Sequence, residues 1–250
     1  MLLARSTEEA QQNQRVVHVH GYDYVLSEYI GAAPVRGMYV EGNEVNDNDL
    51  PQGFLVEQPP GSVTPPHFHE VNQFQVFVGG TGKMGKQEAQ PVTVHYAGGH
   101  TPYGPITAGD EGVQYFTLRA AWDPGAKYMP KSRDLLKPVP RRHRMADPVE
   151  ISDAAVLAAR SAPGLDILME REEDALAAYV LRLGSNARMP VPAPSDGGGQ
   201  YHVVVNGGLI RDGAVMPKLS CLFVYPDESP YEVEAGPAGL EMLVLQFPKI

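Results

Sequence analysis

Short stretches of β-favouring residues, each followed closely by glycine or proline, recur along the chain and predict β-strands. The first group of such stretches covers residues 54–57, 74–78, 92–96 and 113–118, and the second covers residues 178–183, 201–205, 221–225 and 240–247. The 26 glycines and 23 prolines are spread over all 250 residues, which is typical of many short strands joined by tight turns. The pattern therefore predicts an all-β protein with two groups of strands.

The segment between the two groups differs in composition. Residues 137–144 are rich in proline and arginine, and residues 153–160 are helix-formers that follow Ser152, a residue able to cap a helix. We therefore expect an N-terminal domain over residues 1–135, a linker with a short helix over residues 136–165, and a C-terminal domain over residues 166–250.

The two groups of strands also repeat each other in sequence. Gln73 precedes Gly80 by seven positions, and 127 positions later Gln200 precedes Gly207 by the same seven. Residues 109–112 match residues 236–239 at the same offset, and Pro102-Tyr103 matches Pro230-Tyr231 at an offset of 128. Duplication of one domain explains this agreement.

Composition excludes several classes of function. A formal net charge of −10 argues against binding to nucleic acid or to an anionic membrane, and we assign the basic residues 141–144 to a solvated linker. Cys221 is the single cysteine, so neither an intrachain disulfide nor a cysteine zinc site can form. The N-terminal apolar run is too short for a secretory signal, so we expect a cytoplasmic protein.

One motif carries candidate chemistry. Five residues separate Gly61 from the His67-Phe68-His69 triplet, and Gln73 and Gly80 follow at fixed distances. This pattern resembles the first motif of the cupin superfamily, except that Gln73 stands where the family usually has glutamate. The resemblance covers roughly residues 50–120 and 175–248. It implies two cupin barrels, that is, jelly rolls of the double-stranded β-helix type.

The resemblance also implies a metal site. Alternation along a strand places His67 and His69 on one face, where two imidazoles can share one cation. Tyr103 stands where the second cupin motif usually has a histidine; a different alignment would place Thr107 there, and His95 or His100 could replace the missing ligand. By resemblance, the predicted ligands are His67, His69, Gln73 and Tyr103, and the metal is a divalent transition metal such as Fe, Mn, Ni or Zn.

The substitution at Gln73 changes the expected charge of that site. An amide in place of a carboxylate removes one negative charge and leaves a weaker oxygen donor, so metal should be held less tightly and an anionic ligand favoured. A bound cation could also lower the pKa of Tyr103. We expect Gln73 and Tyr103 to take part in catalysis as well, Tyr103 as a ligand or general acid.

The second repeat lacks the motif. Pro190 and Pro192 occupy the two histidine positions, so this barrel cannot bind metal as the family does. Gln200 and His202 should share one face of their strand, as a structural pair in the core or as the remnant of a polar pocket.

The resemblance implies a metal-dependent enzyme acting on a small anionic or carbonyl-containing organic molecule, with dioxygenase chemistry the first candidate. A non-redox isomerase or lyase, or a non-catalytic small-molecule-binding protein, is the alternative. The resemblance further implies a homodimer.

Overall fold

The computed structural model describes residues 1–249, except the side chain of Glu44. The protein is all-β, as predicted, with two short α-helices, and it divides into two units. One unit is Gln11–Pro148; the other joins Met1–Ala10 to the chain from Val149 onward. None of the described helices is both long and apolar enough to cross a membrane.

The N-terminal unit contains a nine-stranded sheet in the order β12-β9-β7-β10-β4-β3-β2, with β5 on β10 and β8 on β7, and a two-stranded sheet of β11 and β6. Its strands are β2 (Gln14–Val19), β3 (Tyr22–Ile30), β4 (Gln52–Gln58), β5 (Val63–Thr64), β6 (His67–Phe68), β7 (Gln73–Met84), β8 (Gln87–Ala89), β9 (Thr93–Ala97), β10 (Ile106–Arg119), β11 (Lys127–Tyr128) and β12 (His143–Met145).

The other unit contains an eight-stranded sheet in the order β1-β18-β16-β19-β14-β13, with β15 on β19 and β17 on β16. Its strands are β1 (Leu2–Arg5), β13 (Gly164–Met169), β14 (Ala177–Leu183), β15 (Arg188–Pro190), β16 (Gln200–Arg211), β17 (Ala214–Pro217), β18 (Cys221–Val224) and β19 (Glu232–Gln246). Each of the eight stretches predicted from the sequence overlaps a strand of one unit or the other.

The two short helices are α1 (Thr7–Gln11) and α2 (Ala154–Ala158). The predicted linker helix is therefore present, but Asp153 and not Ser152 holds the capping position. The Ser152 hydroxyl instead donates to Oε1 of the buried Glu241 at 2.8 Å.

The structure differs from the expected domain boundaries at two places. Residues 2–5, expected in the N-terminal domain, pair with β18, and β12, expected in the linker, pairs with β9. Both short segments cover strands that would otherwise lie at open sheet edges, where unpaired backbone groups promote association. Such pairing of distant segments leaves no local signature in the sequence.

Each unit has its own hydrophobic core, and the inward-facing residues alternate along the strands as the pattern predicts. Cys221 is fully buried in β18, and burial raises the pKa of its thiol, so this cysteine packs in the core.

The repeat is visible at equivalent positions within β7 and β16. Gly80 and Gly207 have φ angles of +63° and +66°. A Cβ atom at either position would overlap a carbonyl oxygen of the neighbouring strand, from Gly112 in one unit and from Gly239 in the other. Gly207 and Gly239 lie 127 positions after Gly80 and Gly112, so both barrels keep the same close approach of two strands.

Candidate functional site

The two histidines of the motif lie on one short strand and the residue after it. His67 begins β6 and pairs with Tyr103 by two backbone hydrogen bonds of 3.0 Å, so the chain itself brings these two residues together. The ring centroid of His67 lies 5.3 Å from that of His69 and 4.5 Å from that of Tyr103. Three of the four predicted site residues therefore have neighbouring rings, and all three are buried.

Both imidazoles have one nitrogen engaged by a fixed acceptor. Nδ1 of His67 lies 2.8 Å from the carbonyl oxygen of Pro65, and Nδ1 of His69 lies 2.7 Å from Oδ1 of Asp123. Burial lowers the pKa of His67 to about 3, and burial together with the nearby charge of Arg119 lowers that of His69 to about 4. Both rings are therefore neutral near pH 7, with Nδ1–H as donor and a lone pair on Nε2.

Gln73, the fourth predicted residue, contacts Tyr103 and a residue that the sequence did not single out. Its Nε2 donates to the hydroxyl of Tyr103, and its Oε1 accepts a 3.0 Å hydrogen bond from Nε of Arg119. The arginine determines the orientation of the Gln73 amide. If the amide were turned by 180°, its NH₂ group would face the N–H of Arg119, and two donors would be in contact. The oxygen that we expected to face a metal thus faces a guanidinium.

Tyr103 is a neutral phenol in this environment. Burial raises its pKa, and this outweighs the opposing charge of Arg119. Because Gln73 donates to the phenol oxygen, the proton of Tyr103 is directed to some other acceptor.

Arg119 is the main functional residue that the sequence did not reveal. It ends β10, is only 2% exposed, and donates to Oε1 of Gln52 at 2.6 Å in addition to Gln73. Alternation along β10 from Tyr115 through Thr117 to Arg119 was the available signal, because all three line the same cavity.

The contact of Arg119 with His69 is a stacking contact. Nη2 of Arg119 lies 3.1 Å from both ring nitrogens of His69. An atom in the ring plane at equal distance from both would collide with Cε1 between them, so Nη2 must lie over the ring face. The in-plane lone pair of Nε2 of His69 is therefore not the acceptor for this guanidinium.

Asp123, also missed, is a fully buried carboxylate that orients His69. It accepts from Nδ1 of His69 and from the backbone amides of Glu70 and Gly125, both at 2.9 Å. Burial alone raises the pKa of Asp123, but the interaction with the His69 ring, the positive charge of Arg119 and these hydrogen bonds outweigh burial, so the pKa lies below its usual range. Asp123 is 54 residues from His69, and no local pattern connects them.

A cavity of about 80 Å³ opens beside these residues within the N-terminal unit. Its walls are largely apolar and aromatic and include Leu26, Phe54, Val56, Tyr24 and Tyr115. One end is polar and is formed by His67, His69, Gln75, Tyr103, Thr117 and Arg119. A cavity with apolar walls and a few convergent polar groups is typical of a small-molecule site.

The alternative ligand residues lie elsewhere or have other partners. Thr107 pairs in the sheet with Val63 and is not among the residues lining the cavity. His95 is buried with its ring centroid 5.1 Å from that of Tyr103, and its Nδ1 lies 2.9 Å from Oε1 of Gln75, but it does not reach the cavity wall. His100 packs against the ring of Phe68.

The equivalent place in the second barrel contains a closed set of polar side chains. Nε2 of Gln200 donates to Oε1 of Gln246 at 2.8 Å, Nε2 of His202 lies 3.0 Å from Oε1 of Gln200, and the hydroxyl of Tyr231 lies 3.1 Å from Nδ1 of His202. Each of these groups has a protein partner, which agrees with the predicted structural pair of Gln200 and His202.

The predicted metal ligands divide into two that suit a cation and two that do not. Metal-binding histidines usually donate their second ring N–H to a carboxylate or a backbone carbonyl, as His69 and His67 do here. Gln73 and Tyr103 contact each other, and the Gln73 oxygen is used by Arg119. Among residues 1–249, no three His, Cys, Asp or Glu side chains are grouped to hold a metal. The chain therefore fits a divalent cation through two histidines, without a carboxylate ligand.

Comparison with solved structures identifies the fold. A proposed dioxygenase from Nostoc punctiforme aligns with a TM-score of 0.65 and 10% identity over 98% of this chain and 82% of that one. A bacterial pirin from Escherichia coli in complex with nickel(II) aligns with a TM-score of 0.55 and 11% identity over 100% of both chains. An oxalate decarboxylase from Bacillus subtilis aligns with a TM-score of 0.57 and 10% identity over 99% of this chain and 76% of that one.

No protein-family model and no curated protein sequence matches the chain. At 10–11% identity, the likeness to these enzymes and to the nickel-bound pirin concerns architecture. Together with the two β-units and the repeated strand contacts, it shows that this chain is a two-barrel protein of the cupin fold.

Proposed function

We propose that the N-terminal barrel is the site of a metal-dependent enzyme that acts on a small organic anion. The observation that carries this proposal is the arrangement of His67 and His69, whose Nδ1 atoms are held by Pro65 and Asp123 beside the cavity. Their Nε2 lone pairs are the two donors for the cation. When bound, the cation would polarise an oxygen of the substrate.

The remaining residues have roles that do not depend on the cation. Arg119 supplies a fixed positive charge at the polar end of the cavity, and Gln52 and Gln73 hold its guanidinium in place. Tyr103 keeps its proton at neutral pH and is positioned by the amide of Gln73, so it is suited to donate that proton to a substrate oxygen. The apolar walls give a bound substrate surroundings that are poorer in water than bulk solvent.

Dioxygenase chemistry is the first candidate for the reaction. A non-redox isomerase or lyase is the second, and it is favoured by one observation: Tyr103 is held as a neutral proton donor next to a fixed positive charge. Turnover of a candidate substrate with and without O₂ separates the two, since an isomerase or lyase is indifferent to O₂.

Metal content tests the proposal directly. The protein is purified without a histidine tag, reconstituted with Fe, Mn, Ni or Zn, and its bound metal is quantified by mass spectrometry. We expect one cation per chain in the wild type and loss of that cation in a His67→Gln, His69→Gln double variant.

The chain contains its own control, the second H-x-H sequence at His18 and His20. Nδ1 of His18 lies 2.8 Å from Oδ1 of Asp23 on the protein surface, and His20 is in the adjacent turn. A His18→Asn variant changes only the exposed histidine that pairs with Asp23 and should retain all bound metal. The proposal is wrong if the reconstituted wild type holds no cation, or if this control loses as much metal as the His67→Gln, His69→Gln variant.

A further inference from the structure

We propose that the cavity of the N-terminal barrel binds a planar aromatic carboxylate, with the carboxylate group at Arg119 and the ring between the apolar walls. This inference names a substrate class for the site proposed above and rests on that function, but it does not require that a cation be bound.

The guanidinium of Arg119 is fixed in the cavity wall. Hydrogen bonds to Gln52 and Gln73 on two sides prevent it from rotating away. A planar guanidinium matches a carboxylate in shape and charge and forms charge-assisted hydrogen bonds with it. Since the arginine is held before a ligand arrives, little conformational entropy is lost on binding.

The nearby negative charge is turned away from the cavity. Asp123 is buried close to Arg119, but it does not line the cavity. Its oxygens are engaged by His69 and by the backbone amides of Glu70 and Gly125. The cavity lining contains no Asp or Glu among the described residues, so an entering anion meets Arg119 as the charged side chain of the wall.

Aromatic side chains line much of the rest of the cavity, including the wall beside Arg119. Tyr24, Phe54, Tyr115 and Tyr128 provide aromatic surfaces, and the ring centroid of Phe54 lies 5.7 Å from the guanidinium carbon of Arg119. Aromatic side chains pack favourably against a flat ring through offset and edge contacts.

Two of these aromatic rings are held in place, and the space between the walls is small. The hydroxyl of Tyr24 contacts Thr64 at 3.0 Å, and that of Tyr115 contacts Gln58 at 3.4 Å. A volume of about 80 Å³ restricts the ligand to a small molecule. A single ring that carries one carboxylate therefore suits the aromatic lining and the positive charge of the cavity.

Benzoate and benzamide are a matched pair of probes for this inference. They have the same ring and nearly the same shape, but only benzoate carries a negative charge at pH 7. Binding of each is measured by calorimetry to protein that has been treated with EDTA and dialysed, so the result is independent of metal. We expect benzoate to bind the wild type at least about tenfold more tightly than benzamide, a difference of about 1.4 kcal/mol.

Three variants locate the effect. Arg119→Gln should remove the preference for benzoate, whereas Arg144→Gln, which removes the same charge from an exposed position, should leave it unchanged. Arg119→Lys should retain only part of the preference, because an ammonium keeps the charge but cannot be held by Gln52 and Gln73 at the same time in the way the guanidinium is. Circular dichroism checks that each variant is folded.

Equal binding of benzoate and benzamide to the wild type would overturn the inference, and this result does not depend on any variant folding. Full preference for benzoate in folded Arg119→Gln would overturn it as well. Benzoate binding is measured on metal-free protein, so its result does not depend on whether the wild type binds a cation. The metal site and the carboxylate site are therefore judged by separate experiments.

Discussion

Arg119 and Gln73 are cross-strand partners on β10 and β7, and Nε of the arginine donates to Oε1 of the glutamine at 3.0 Å. In the second barrel the partners 127 positions later are Gln246 and Gln200, joined by a 2.8 Å hydrogen bond. The same place in the fold thus holds a buried charge in one barrel and a neutral amide in the other.

Gln73→Glu should bind a divalent cation more tightly and benzoate more weakly. The new carboxylate adds a negative charge beside the histidine pair and also pairs with Arg119, which reduces the attraction for an anion. We expect a change of about tenfold in each dissociation constant, in opposite directions. Calorimetry with Mn²⁺ and, separately, with benzoate provides the measurement.

Gln200→Glu is the matched control, since it makes the same change in the barrel that has prolines at the histidine positions. The Gln200→Glu variant should bind Mn²⁺ no more tightly than the wild type does. Tighter Mn²⁺ binding in both variants would indicate a general charge effect and would contradict the assigned site.

Tyr103→Phe should destabilise the N-terminal barrel by about 1–3 kcal/mol. The amide of Gln73 loses the hydroxyl that accepts its hydrogen bond, and a buried donor without a partner is costly. Urea unfolding followed by fluorescence of Trp122, the single tryptophan, reports on this unit. Tyr103→Phe combined with Gln73→Met should cost less than the sum of the two single changes, because they remove one shared interaction. Strict additivity would show that the contact contributes nothing.

The second barrel should lose stability as the pH falls below about 6.5. Burial lowers the pKa of His202 to about 3 in the folded protein, whereas an unfolded histidine titrates near 6.5. Between these values the unfolded chain binds a proton that the folded chain does not, so the free energy of unfolding falls by up to about 1.4 kcal/mol per pH unit for this residue.

His202→Asn tests the assignment, because asparagine does not titrate. Urea unfolding followed by far-ultraviolet circular dichroism from pH 7 to pH 4 should give a shallower pH dependence in the variant. Trp122 fluorescence serves as an internal reference, since the N-terminal barrel contains its own buried histidines and should respond alike in both proteins. An unchanged slope in the circular dichroism transition would contradict the role of His202.

Gly80→Ala should be more destabilising than Gly21→Ala, although both residues have positive φ angles, +63° and +84°. The conformational cost of alanine in this region is about 1–2 kcal/mol at either site. At Gly80 the added Cβ also overlaps the carbonyl oxygen of Gly112, whereas no atom lies within 4 Å at Gly21. Thermal unfolding of both variants provides the comparison. Equal decreases in stability would rule out the close contact between the two strands at Gly80.

The sequence alone determined those features that depend on residues close together in the chain. Stretches of β-favouring residues that end at glycine or proline predicted the strands. Alternation along a strand predicted that His67 and His69 share one face, because successive side chains of a strand point to opposite sides. The offset of 127 positions predicted the second barrel, and alternation along its strand predicted the structural pair of Gln200 and His202.

Tertiary structure decided which groups those histidines meet. Asp123 reaches His69 across 54 positions, Arg119 reaches Gln73 across 46, and residues 2–5 pair with a strand more than 200 positions away. The sequence indicated a metal site, but the burial of a guanidinium beside it follows from how β10 is paired with β7. Contacts of this kind depend on the packing of distant segments, and a pattern that repeats every two residues carries no information about them.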